Sequence, residues 1–98
     1  EYSLLDRRFE FDLQEIALAE DCGLLAWSPL TRGILSGKYL NGARPSGSRL
    51  AITPGAEKRD TPQCNKAVAA YLEIAKKHGL DVCQMALAFV NAKPFVTS

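Results

Sequence analysis

The apolar positions change their period along the chain, and each change marks an element. Residues 1–5 form a short apolar-rich stretch that predicts a strand. Asp12 then stands where a helix N-cap belongs, with Glu15 three residues on as a capping box requires. Leu13, Ile16, Ala17 and Glu20 share one helical face, apolar for only part of its length. Gly23 follows as the expected left-handed residue closing a helix over about 12–22. The next run, Leu24-Leu25-Ala26-Trp27, is continuously apolar, as suits a parallel strand buried on both faces. It ends at Ser28-Pro29, because proline cannot donate to a central ladder.

Residues 40–59 break every period: Asn41, Gly42, Pro45, Ser46, Gly47, Ser48, Pro54 and Gly55 mark an irregular stretch. A connection that long inside a compact domain is usually functional or disordered. Helical spacing returns at Thr61-Pro62, an N-cap followed by proline at the first position. Ala67, Val68, Tyr71, Leu72 and Ala75 make one stripe, and Lys76, Lys77 and His78 place positive charge at the helix end before Gly79. Asp81 with Gln84 is a second capping box, predicting a helix to about Asn91. Pro94 stops it and Phe95-Val96-Thr97 begins another strand. The order is β-α-β-long loop-α-α-β, one unit over residues 1–98 of α/β class. Three parallel strands with helices on one side would leave open edges and an uncovered sheet face.

Composition narrows the function. With 98 residues the chain is far shorter than an enzyme barrel of roughly 250, and 47% hydrophobic content marks it as globular. A net charge of +1, from 12 basic and 11 acidic residues, gives no footprint for nucleic acid or an anionic membrane. No apolar run suggests membrane insertion, and no secretory leader is expected. The chain opens on Glu1 and its single Met is Met85, so the natural start is expected elsewhere. Cys22, Cys64 and Cys83 form no close pair, so neither a disulfide framework nor a metal site is expected, and reduced thiols fit a cytoplasmic protein.

Among the chemical candidates, Gly33-Ile34-Leu35-Ser36-Gly37-Lys38 fails as a nucleoside-triphosphate loop. It has three residues between its glycines where four are needed, and Tyr39 follows the lysine in place of Ser or Thr. The stretch Trp27-Ser28-Pro29-Leu30-Thr31-Arg32-Gly33 is more informative. It follows a predicted strand, and in α/β sheets ligands bind beyond the carboxyl ends of strands. Trp27 can offer a flat face to a ring. Ser28 and the amides of Leu30, Thr31, Arg32 and Gly33 can donate to phosphate oxygens, with Arg32 and Lys38 adding charge. From the residues alone, the reading of Trp27 as a core residue and the rest as a plain connecting loop stays open. His78 reads as a helix-end residue and Cys22 and Cys83 as ordinary helix residues. Tyr2, Tyr39 and Tyr71 lack the Lys, Asp and His neighbours that would tune a general acid.

The run from Trp27 to Tyr39, Trp27-Ser28-Pro29-Leu30-Thr31-Arg32-Gly33-Ile34-Leu35-Ser36-Gly37-Lys38-Tyr39, resembles the aldo-keto reductases. The branch is that of bacterial stress-type reductases and potassium channel beta subunits. Glu1-Tyr2-Ser3-Leu4-Leu5 resembles that family's sixth barrel strand, Pro45-Ser46-Gly47-Ser48-Arg49 its cofactor-clasping loop, and Ala86-Leu87-Ala88-Phe89-Val90 with residues 94–98 its last helix and the start of strand eight. The resemblance implies a partial (β/α)8 TIM barrel, about strand six to the start of strand eight, and NADP(H) as cofactor. Trp27 would stack on the nicotinamide. Ser28, Pro29, Leu30, Thr31 and Arg32 would line the pyrophosphate, and Lys38 and Arg49 would close over it. Gly47 departs from the tyrosine that relatives carry two residues before the matching arginine. The implied reaction is hydride transfer to a small-molecule carbonyl in a longer parent. The tyrosine, lysine, aspartate and histidine that perform it belong to the barrel's first half, so no residue here takes a catalytic role, and the isolated chain is expected to be inactive. The alternative is a non-catalytic, beta-subunit-like regulatory chain or an inactive product.

Overall fold

The computed structural model describes residues 1–55 and 57–98; position 56 of the long loop lies outside the described residues. Among the described residues four α-helices carry the architecture: α1 (Asp12–Ala19), α2 (Arg49–Ile52), α3 (Pro62–Lys77) and α4 (Val82–Asn91). Short 3-10 turns stand at Arg8–Glu10, Thr31–Ser36 and Leu40–Gly42.

α3 and α4 form where the sequence places them. Thr61 accepts the Cys64 amide at 3.2 Å and proline follows at the first turn. Asp81 accepts the amides of Cys83 and Gln84, both at 2.9 Å. Gly79, at φ +65°, takes the left-handed turn between them. Val68 and Ala75 are buried along the α3 stripe, and Tyr71 and Leu72 pack beside them.

α1 departs from its expectation. The 3-10 turn Arg8–Glu10 runs into it, so Asp12 already has helical dihedrals and makes no cap bond. The helix ends at Ala19, and Asp21 (φ +50°), not Gly23, is the left-handed residue after it. Cys22 is therefore an exposed residue beyond the helix. Gly23 has another role: a Cβ there would fall 1.8 Å from Thr97 Oγ1, so its bareness permits the chain crossing.

The three expected strands appear only as fragments. Among the described residues, paired extended backbone is limited to two bridges, Leu24↔Val96 (parallel) and Ser3↔Asp6 (antiparallel). Hydrogen bonds extend the first: Leu24 N to Phe95 O (2.7 Å), Thr97 N to Leu24 O (2.9 Å) and Ala26 N to Ser98 O (2.6 Å), with Tyr2 N donating to Trp27 O on the other side (3.3 Å). Residues 24–27 thus lie between residue 2 and residues 95–98. Residues 1–5 do not stay extended because Ser3 Oγ accepts the amides of Leu5 (3.2 Å) and Asp6 (3.1 Å), a local turn that competes with a ladder. Nor is 24–27 buried on both faces. Leu24 and Ala26 pack inward, while Leu25 (70% exposed) and Trp27 (55%) face outward.

Two apolar clusters hold the fold. Ile34, Leu35, Tyr39, Leu50, Val68 and Ala86 join the 31–39 segment and the long loop to α3 and α4. Tyr2, Ala17, Val90 and Phe95 join the bridged segments to α1 and the far end of α4. Tyr2 packs edge-on against Phe95 with centroids 5.3 Å apart and stacks on Phe89 at 6.0 Å. The long loop is thus structured rather than bare: it carries a 3-10 turn and α2, and Leu50 sits in the core.

Candidate functional site

The segment after Trp27 bends through an unusual backbone. Ser28 (φ +58°), Thr31 (+49°), Arg32 (+53°) and Gly33 (+92°) all occupy the left-handed region. For a β-branched threonine this conformation is an outlier, and such positions cost on the order of 1–3 kcal/mol each and persist only where their surroundings hold them. Here the surroundings do so. Thr31 is fully buried, its hydroxyl 3.0 Å from Ser3 Oγ and its amide donating to Ser28 O at 2.8 Å. The Arg32 amide donates to Ser28 Oγ (3.3 Å) and the Gly33 amide to Leu30 O (3.0 Å). Ile34 and Leu35 then plug the turn into the core.

This loop forms one wall of an open cleft of about 450 Å³, lined by Ser28, Pro29, Leu30, Arg32, Gly33, Lys38 and Arg49. Six of the eight residues expected at a cofactor site meet there. Trp27 stands outside the lining, more than half exposed. Thr31 lies behind it, in the core, and supports the wall. The amides of Thr31, Arg32 and Gly33, expected as phosphate donors, already donate within the loop, so the charge offered to an anion comes from Lys38, Arg49 and Arg32.

Each cation has a neighbour that the sequence did not pair with it. Lys38 lies over Gly33: a Cβ on Gly33 would come within 3.1 Å of Lys38 Cε and 3.2 Å of Nζ. Arg49 opens α2, whose next residue, Leu50, is buried and donates its amide to Tyr39 Oη at 3.5 Å. Burial pushes the Tyr39 phenol up, but Ser48, the Leu50 amide and Lys38 outweigh it, and its pKa lies below the ordinary value. Arg32 Nε lies 3.5 Å from Glu57 Oε2. The signals were present as a glycine five residues before the lysine, a tyrosine after it, and an acid in a basic run.

Beside this cleft lies a network of charges. Asp6 is gripped by Arg8 through Nε (2.9 Å) and Nη2 (2.7 Å) and also by Arg59, whose Nη1 reaches Glu1 at 2.8 Å. The Arg8 hydrogen bonds hold the Asp6 carboxyl below its ordinary range. A second group centres on Glu10. It accepts from Arg7 at 2.9 and 2.5 Å and from the Tyr2 hydroxyl, with Lys93 at 3.4 Å. Its pKa falls to about 2, chiefly through Arg7, while burial and Glu10 push the Tyr2 phenol up. Among the described residues no group of three or more His, Cys, Asp or Glu is placed to hold a metal ion, and no helix is long and apolar enough to cross a membrane.

Known proteins share this pattern along the whole chain. The sequence model of the aldo/keto reductase family matches residues 1–98, and the chain belongs to that family. Protein tas of Escherichia coli is 53% identical over 97 residues, covering 99% of this chain and 28% of its own. A probable voltage-gated potassium channel subunit beta of Arabidopsis thaliana is 32% identical over 102 residues, covering all of this chain and 31% of its own. An uncharacterized oxidoreductase, YrpG, of Bacillus subtilis is 33% identical over 97 residues, again 28% of its length. The chain thus spans less than a third of the length of each of these three relatives.

Proposed function

We propose that this chain is the strand-six to strand-eight part of an NADP(H)-dependent aldo-keto reductase barrel and supplies one wall of its cofactor site. The observation that carries the reading is the cleft that gathers Lys38, Arg49 and Arg32 around a left-handed loop. A concave surface with three cations suits a pyrophosphate, and the bare Cα of Gly33 leaves room for Lys38 above it. In this reading Trp27, exposed at the end of its run, offers its ring to the nicotinamide. Ser28, Pro29, Leu30 and Arg32 line the pyrophosphate, Thr31 braces the turn from behind, and Lys38 and Arg49 close over it. Bound NADPH supplies the hydride that reduces an aldehyde or ketone. The residues of this chain bind and orient it, and none of them moves the proton. The isolated chain therefore turns over no carbonyl, and the parent works in the cytoplasm on small molecules.

The test is NADPH binding by the full-length protein, followed by fluorescence titration. Lys38→Ala and Arg49→Ala each weaken binding by roughly ten- to a hundredfold, since a hydrogen bond to a charged group is worth roughly 1.5–3 kcal/mol. Unchanged affinity in both variants refutes the site. A second reading, a regulatory beta-subunit-like chain, draws support from the relatives named as channel subunits. Cofactor binding without turnover of any reactive aldehyde by the full-length protein would favour it.

A further inference from the structure

Glu57 is an acid beside a cleft whose character is cationic. Its side chain is 4% exposed, and it sits near the end of the long loop. Its Oε1 accepts the Arg59 amide at 2.9 Å and lies 3.9 Å from Arg59 Nη1, while its Oε2 lies 3.5 Å from Arg32 Nε. Arg32 lines two adjoining clefts. One is the cleft of Lys38 and Arg49. The other, of about 210 Å³, is walled by Glu1, Glu57, Lys58 and Arg59. The carboxylate therefore meets the guanidinium from the side of the second cleft.

We propose that Glu57 is a positioning residue for cofactor binding. By engaging the Nε edge of Arg32 from the adjoining cleft, it fixes that guanidinium at the rim of the phosphate cleft. The proposal rests on the reading of the Lys38–Arg49 cleft as the phosphate site. A free arginine side chain holds about 2 kcal/mol of rotamer entropy, which a ligand must overcome if nothing has fixed it beforehand. A buried carboxylate on the side away from the ligand supplies that order. Its own charge is offset by Arg59 and Arg32, so it repels an incoming phosphate little.

The measurement is the NADPH dissociation constant of the full-length protein by fluorescence titration, with the single-turnover rate of carbonyl reduction at saturating cofactor beside it. Glu57→Gln weakens NADPH binding by roughly three- to fivefold, the scale of a part-exposed ion pair, and leaves the single-turnover rate unchanged. Arg32→Lys keeps the charge, loses the Nε edge and leaves the buried side of the network intact. It shows the same weakening, and Glu57→Gln adds nothing in its background. Binding by the parent with unaltered affinity in both variants overturns the proposal alone. So does an equal loss from Glu57→Gln in the Arg32→Lys background, which marks a general structural role. Tighter binding by Glu57→Gln overturns it too, since the carboxylate would then be a competitor of phosphate. A parent that binds no NADPH overturns the cofactor reading, and this inference with it.

Discussion

The two apolar clusters are built from similar residues and held in different ways. Around Val68 and Ala86, side chains from α3, α4 and the long loop close on one another, and Ile34, Leu35, Tyr39 and Val68 keep 1% exposure or less. Around α1 and residues 24–27 the same kinds of side chain stay half bare: Leu13, Ile16, Leu18, Leu25 and Trp27 are all 53–70% exposed. An apolar groove of about 230 Å³ runs along Phe9, Leu13, Ile16, Leu24 and Leu25. Beyond the small buried set of Tyr2, Ala17, Val90 and Phe95, charge ties this second region down: Glu10 with Arg7 and Lys93, and Asp6 with Arg8 and Arg59. A hydrophobic pattern thus says which faces can be buried; burial itself depends on what stands opposite.

The sharpest test pairs two leucines ten positions apart. Leu35 is fully buried and Leu25 is 70% exposed. Leu35→Ala is expected to cost about 2–5 kcal/mol, the range for a large core side chain cut to alanine. Leu25→Ala should stay within about 0.5 kcal/mol, as an exposed substitution does. Urea unfolding of the two variants beside the parent measures both, and equal losses would erase the distinction between the regions.

Acid separates the regions by their different glue. Glu10 has its pKa lowered from 4.5 to about 2, first by the Arg7 hydrogen bonds, and Asp6 is lowered by Arg8. A carboxylate with a depressed folded pKa contributes stability that is fully present above its unfolded value and is lost as pH falls through the folded one. The ion-paired side should therefore loosen between about pH 4.5 and pH 2, while the α3–α4 side, which rests on apolar contact, holds longer. Trp27 is the single tryptophan and lies on the ion-paired side. Its fluorescence should shift at a higher pH than the far-UV helical signal is lost. Glu10→Gln should flatten the tryptophan response, and coincident transitions by both probes would rule out separate loosening.

What the sequence made legible follows the same division. Thr61, Pro62, Asp81 and the α3 stripe act within a turn or two of themselves, so their spacing sufficed. The family resemblance grouped Ser28, Pro29, Leu30, Arg32, Lys38 and Arg49, and these residues line one cleft. Thr31 was read as lining it, yet lies behind it, because its contact is with Ser3, 28 residues earlier. Arg59 with Glu1 and Asp6 spans 58 and 53 positions, and no local period carries such a pairing. The strands were overread for the opposite reason: an apolar run such as 24–27 signals extended structure, but a ladder requires neighbours of matching length, and Ser3 had a nearer turn to make.

The smallest effect gives the closest comparison, since it contrasts two capping boxes that look alike as sequence. Asp81 with Gln84 and Asp12 with Glu15 share spacing and chemistry. Before α4 the chain arrives extended, Asp81 at φ −73° and ψ +132°, so its carboxylate turns back onto two amides. Before α1 it arrives from a 3-10 turn, Asp12 is already helical, and Phe11 occupies the cap position without a side-chain bond. Asp81→Ala should therefore cost about 1 kcal/mol, as loss of a formed cap does. Asp12→Ala should cost no more than about 0.5 kcal/mol, the share an acidic first-turn residue draws from the helix dipole. Hydrogen exchange at the Cys83 and Gln84 amides should quicken in the first variant only. Equal costs would mean that α1 is entered in solution through an extended residue, with Asp12 as its true cap.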